Sequence, residues 1–394
     1  MNQIDRAEAF EKAERLARKT WSAVSELSFR AAGRAKQLAN KTGPALGQIV
    51  GKTSALLDTK LSGGPAAATA HASADVPLTV RPEFELPPLE KLRLEITEFT
   101  DAISSVVVGQ ERTVRLALCC FIAGGHLLLD GPPGLGKTTL AQALAAVTGR
   151  LMRRIQFTSD LMPGDLLGVP IFDQTANEFI FRKGPVFSEI VLADEINRAP
   201  PRAQSALLEA MAEGQVSMDG ETHALPKGFF VVATQNPLGQ IGAFPLPESQ
   251  LDRFLMRLHF THPGRVDERD LMRRGDRREA ARTLSKIHGL NLRSLETEIE
   301  AVTVGERVIS YIQDLVEISR DTSRFRAGLS VRASLALMTA ARSWAWMHGR
   351  DWVEPDDVQS VFSAVAEHRL LGRDAAGGSP TGLSTEILAT TPLT

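Results

Sequence analysis

His126-Leu127-Leu128-Leu129-Asp130-Gly131-Pro132-Pro133-Gly134-Leu135-Gly136-Lys137-Thr138-Thr139 reads as a strand, a glycine-rich turn and the start of a helix. Gly131, four residues, then Gly136-Lys137-Thr138 has the spacing of a phosphate-binding loop. Gly134 and Gly136 permit backbone angles that a side chain forbids, and they let amides approach a phosphate closely. The helix after the loop, Thr139 to Val147, would aim its unpaired N–H groups and the positive end of its dipole at the same spot. Lys137 would reach the outer phosphates, and the Thr138 hydroxyl would sit on Mg²⁺.

Working outward, the apolar strand Glu189 to Ala193 ends in Asp194-Glu195. An acid there can hold Mg²⁺, and its neighbour can polarise a water for attack on a γ-phosphate. A third buried strand, Phe229 to Ala233, runs out to Asn236. Ligands of open α/β sheets lie outside the carboxyl ends of strands, so this amide can orient the water or a γ-oxygen. Cations that could stabilise charge on the transferring phosphoryl group are Arg198, Arg253 and Arg332. Composition alone would equally place each of them on the surface.

The 394 residues allow two or three domains, and 43% hydrophobic content supplies an ordinary core. The net charge of −2 makes no global electrostatic case for nucleic acid, and 6% aromatic residues argue against a base-stacking surface. The two cysteines, Cys119 and Cys120, are adjacent in an apolar stretch and read as small core residues in a reducing compartment. No apolar run reaches the ~20 residues that span a bilayer, and the N-terminus lacks a signal-peptide core. The expected location is the cytoplasm.

Residues 1–61 carry a basic amphipathic helical pattern through Phe10, Ala13, Ala17, Trp21, Val24, Leu27 and Ala31. Residues 62–87, rich in Gly, Ala, Ser and Pro, read as a flexible linker. Helices are expected from Leu89 to Ile103 and from Gln110 to Ala123, and a strand from Met152 to Phe157. Val169–Phe172 and Phe179–Arg182 suit a hairpin, and Gln215–Leu225 a second one turning at Asp219-Gly220. A helix from Arg202 stops at Gly214, and Met256–Phe260 is a last strand. From residue 262 onward only helices are expected, over 266–284, 304–319, 331–348 and 355–368, and 371–394 reads as a disordered tail. The fold class is α/β: a parallel-sheet nucleotide-binding core at 88–261, an all-helical lid at 262–370, and an N-terminal helical extension.

In this order the elements resemble the AAA+ ATPases, and within them the MoxR group, over about residues 90–370. The specific cues are Gln156-Phe157-Thr158 with Asp160 to Asp165, Ala193 to Pro200, Ala233 to Pro237, and Pro247 to Phe254. The resemblance implies that Gly131–Thr138 is Walker A, that Ile190–Glu195 is Walker B, and that Asn236 is sensor 1. It implies that Arg253 is an arginine finger reaching a neighbouring subunit, and that Arg332 is sensor 2 from the lid. The segments 168–183 and 215–225 correspond to hairpin inserts that face the top or pore of a ring. ATP and Mg²⁺ are the implied ligands. A homo-oligomeric ring, usually a hexamer, is the implied assembly, often beside a von Willebrand factor A domain partner, with chaperone-like remodelling or activation of protein complexes as its work. A nucleotide-gated scaffold docking cargo through the N-terminal extension, and a nucleic-acid motor, are the competing readings.

Overall fold

A computed structural model describes residues 88–175, 177–218, 220–236, 243–275, 277–284, 292–373 and 382–392. The basic helical pattern of 1–61, the linker at 62–87 and the turn residue Asp219 therefore lie outside the described residues.

The core is built on a five-stranded, all-parallel sheet in the order β2-β5-β8-β1-β9. Its strands are β1 (Leu127–Asp130), β2 (Met152–Gln156), β5 (Ile190–Asp194), β8 (Phe230–Gln235) and β9 (Met256–His259). The three central strands are apolar runs, as burial on both faces requires. Successive side chains alternate between faces. Leu127, Leu129, Ile190, Leu192, Phe230 and Val232 enter one core with helices α1 (Pro88–Val106), α2 (Glu111–Ile122) and α3 (Lys137–Thr148). Leu128, Val191, Ala193, Val231 and Ala233 enter another, on the side of α5 (Pro201–Glu213). The first core continues without a break into the lid, through Leu315, Leu337, Trp346 and Phe362. Cys119 and Cys120 are buried there as free thiols, and burial pushes both thiol pKa values up.

Two antiparallel hairpins leave the core. β3 (Gly168–Asp173) pairs β4 (Glu178–Lys183), after the short helix α4 (Pro163–Leu167), and β6 (Gln215–Met218) pairs β7 (Glu221–Ala224). The hairpins touch: the Phe181 ring stacks on His223 with centroids 4.4 Å apart. Another short helix, α6 (Glu248–Leu251), precedes β9.

The lid region departs from the sequence pattern in three ways. The expected helix 266–284 is broken into α7 (Arg265–Arg274) and α8 (Arg278–Arg282), because Gly275 ends α7 at a φ of 73°. A further helix, α9 (Leu292–Ala301), follows, with Leu295 and Ile299 buried one turn apart. The lid is helical in α10 (Glu306–Ser319), α11 (Val331–Met347) and α12 (Pro355–Ala366), but it also holds a small antiparallel pair, β10 (Phe325–Ala327) with β11 (Leu371–Gly372). Strands of three and two residues are too short to show a period-two pattern.

The stretch expected as a disordered tail contains α13 (Leu383–Thr390), with Ile387 fully buried. Its cap is remote in sequence. The Glu367 carboxylate accepts the N–H groups of Gly382 at 2.6 Å and Ser384 at 2.9 Å, placing an anion where the helix exposes unpaired donors. A Gly- and Thr-rich composition hides a helix that is held by such a distant partner.

Candidate active site

Parallel pairing brings the carboxyl ends of β1, β5 and β8 side by side. The Gly131–Thr138 loop follows β1, Asp194 ends β5, and Asn236 follows β8. A cavity of about 420 Å³ opens there, lined among others by Gly134, Gly136, Lys137, Thr138, Asp194, Glu195 and Asn236.

The loop's shape follows from its glycines. Gly134 and Gly136 have φ of 86° and 96°, and a Cβ at either would meet no atom within 4 Å. They line an open cradle rather than a packed turn. Gly131 differs, since a Cβ there would come within 2.7 Å of the Phe260 carbonyl. No side chain caps the start of α3, so its donors face the cradle. Lys137 is buried, donating to the Gly131 carbonyl, to the Pro132 carbonyl at 3.2 Å and to Asn236 Oδ1 at 3.3 Å. Burial lowers its pKa from the ordinary lysine value, while the charges of Asp130, Asp194 and Glu195 act in the opposite sense.

The acids are held differently. The Thr234 hydroxyl donates to Asp194 Oδ1 at 2.6 Å and accepts the Glu195 N–H at 2.9 Å. Asp194 Oδ2 takes Arg154 at 2.6 Å. Glu195 is one of two non-glycine residues with positive φ among those described, at 57°. Such a conformation is uncommon for a glutamate and persists where its surroundings fix it. Those surroundings are explicit: Asn236 Nδ2 donates to Glu195 Oε1 at 2.8 Å, Gln156 Nε2 to Oε2 at 3.1 Å, and Arg198 meets Oε2 at 2.9 Å.

Lys137, Thr138, Asp194, Glu195 and Asn236 therefore share one cavity. Pro133 and Thr139 also line it. Arg253 and Arg332 do not. Arg253 is half-buried and donates to the Leu208 carbonyl of its own chain, and Arg332 is exposed in the first turn of α11. Sequence reasoning missed Arg154, Gln156 as a partner of Glu195, and Thr234 as the bridge between the acids. A signal existed. Arg154 and Gln156 are polar residues two apart on a strand, which places both on one face.

The donor set suits a nucleotide with magnesium. The cradle offers backbone amides and one lysine for phosphates, while Asp194 and the Thr138 hydroxyl are hard oxygen donors. Among the described residues there is no cluster of three His, Cys, Asp or Glu that could hold a metal alone. A cation here would be shared with substrate phosphates, which is the usual habit of Mg²⁺.

Comparison with known proteins agrees with this chemistry. Residues 126–256 match the ATPase family associated with various cellular activities (AAA), and residues 318–387 match an AAA lid domain. The chain is 40% identical over 307 residues to the chaperone MoxR1 of Mycobacterium tuberculosis, covering 74% of this chain and 80% of that one. It is 32% identical over 296 residues to the protein MoxR of Paracoccus denitrificans, covering 68% and 86%. A crystal structure from Cytophaga hutchinsonii superposes with a TM-score of 0.69 at 37% identity, over 78% of this chain and 97% of that one.

Proposed function

The chain belongs to the MoxR-type AAA+ ATPases and is an ATP hydrolase, and from that premise we propose that it turns ATP over at the β1–β5–β8 cavity, as a homo-oligomeric ring that remodels, activates or assembles a protein complex in the cytoplasm. The observation that carries the reading is the convergence of Lys137, Thr138, Asp194, Glu195 and Asn236 on one cavity beside an open glycine cradle. In it the Gly131–Thr138 loop acts as Walker A. Its amides and Lys137 bind and orient the phosphates. Asp194 and Thr138 hold Mg²⁺, which supplies charge neutralisation to the phosphoryl oxygens when bound. Glu195 takes the proton from, and aligns, the attacking water, and Asn236 holds Glu195 and the γ-phosphate in register.

Arg253 serves the neighbouring subunit, exchanging its bond to Leu208 for a phosphate across the interface. Arg332 closes the lid over its own nucleotide. The ring is hexameric, with a von Willebrand factor A domain protein as its partner. That no helix among the described residues is long and apolar enough to cross a membrane is consistent with this setting.

The test is ATP turnover of the wild type and Glu195→Gln, with ATP binding followed separately. Removing the general base should lower turnover by about a hundredfold or more while binding persists. A variant that hydrolyses at the wild-type rate would remove Glu195 from the chemistry.

A further inference from the structure

Gln156 on β2 lies directly across from Asp194 in the β2–β5 register, and Arg154 stands two residues before it on the same face. The Arg154 guanidinium puts both Nε (3.1 Å) and Nη2 (2.6 Å) on one atom, Asp194 Oδ2. Oδ1 of the same carboxylate is engaged by Thr234. Oδ2 is thus the oxygen through which Asp194 meets a cation, and Arg154 is that cation here. The two partners are unequal. The Asp194 side chain is 11% exposed and held at Oδ1 by Thr234, whereas Arg154 is 53% exposed on the sheet's edge strand, with water beside it. An ion pair with one solvated partner is modest in strength and readily exchanged.

We propose that Arg154 competes with the divalent cation for Asp194. It keeps the buried carboxylate neutralised, it must vacate Oδ2 before the acid can take a metal, and it thereby sets the Mg²⁺ concentration at which nucleotide is held. Arg154 is a positioning residue, since it touches the acid and not the reacting atoms. Its Nη2 also donates to Gln156 Oε1 at 3.1 Å, and Gln156 in turn holds Glu195. Release of Asp194 therefore also loosens the amide that restrains the second acid. The inference rests on Asp194 being the magnesium acid of the proposed function.

The full chain is titrated with Mg²⁺ in the presence of a fluorescent, non-hydrolysable ATP analogue, so the readout is binding alone. Arg154→Ala should lower the Mg²⁺ midpoint about three- to tenfold and leave metal-free nucleotide affinity within about twofold. Arg154→Gln, which keeps side-chain bulk, should shift it in the same direction and serves if the alanine variant unfolds early in a thermal scan. Arg153→Ala removes the same charge from the other face of β2 and should leave the midpoint in place. An unmoved or raised midpoint in Arg154→Ala and Arg154→Gln overturns the inference, as does an equal shift in Arg153→Ala. Asp194→Asn separates the two levels. If it leaves the Mg²⁺ dependence intact, the magnesium assignment itself fails. If it abolishes that dependence while the Arg154 variants behave as wild type, only the competition fails.

Discussion

His126, the first residue of the stretch that decides the fold, shows how much a single side chain can do without chemistry. Its Nδ1 accepts the Val231 N–H at 3.1 Å, which leaves Nε2 to donate to the Met211 carbonyl at 3.3 Å. The ring thus joins the entry of β1 to β8 and α5 as a neutral tautomer. Burial lowers its pKa to about 4. The unfolded chain protonates its histidines near pH 6.5, so between pH 6.5 and about 4 it binds a proton that the folded chain refuses. Stability contributed by His126 is intact above pH 6.5 and is lost as pH falls toward 4, in total on the order of 3 kcal/mol. His126→Gln should therefore show a smaller fall in thermal midpoint between pH 7.5 and pH 5 than the wild type does. Equal acid sensitivity would mean the ring is not the titrating group. Buried His368, whose pKa burial also lowers, supplies acid sensitivity of its own, so the comparison is of slopes. At this scale the sequence was eloquent about Lys137, Asp194, Glu195 and Asn236, since each sits at a strand end or loop that the pattern locates. For Arg154 it offered only a polar face shared with Gln156, and for Thr234 nothing, because the partners of both are set only once β2, β5 and β8 lie side by side.

Elements were legible where they carried their own punctuation. Gly214 ends α5 in the left-handed region, and Pro355 opens α12 with Asp357 Oδ2 accepting the Glu354 N–H at 2.8 Å, as local rules require. They were illegible where the stabilising partner is distant, as with β10 against β11 and α13 under Glu367. The lid helix α11 begins with a local cap that can be tested. Ser330 Oγ accepts the Ala333 N–H at 3.1 Å, at the turn that carries Arg332. Ser330→Ala should cost about 1 kcal/mol locally, read as roughly fivefold faster amide exchange in the first turn of α11. Unchanged exchange there would show that the turn is held by packing rather than by its cap.

For the whole molecule, the alternation of side chains along the central strands foretells two buried faces, and the structure fills both. Nothing in one chain's sequence states how copies meet. The proposal that Arg253 acts across an interface is tested by mixing Arg253→Ala with Lys137→Ala subunits. Each should be inactive alone, and a mixed ring should regain part of the ATPase rate, because some sites combine an intact loop with an intact neighbouring arginine. Absence of recovery in rings shown to be mixed would confine Arg253 to its own subunit.

The segment bearing Arg253 is also where the lid is moored. Arg369, just past α12, is 5% exposed and donates to Asp252 Oδ1 at 2.7 Å and to the main-chain carbonyls of Asp252 (3.2 Å), Phe254 (2.7 Å) and Leu255 (3.2 Å). On the core side this mooring is written almost wholly in backbone, which no substitution can erase. On the lid side it rests on the Arg369 guanidinium and on His368, whose Nε2 meets the Phe254 carbonyl at 3.1 Å. Mutational tolerance should therefore be lopsided: the three main-chain carbonyls stay in place whatever side chain stands at 252 or 255, while a change in the single codon for Arg369 removes the donor to all of them at once and leaves His368 as the remaining link.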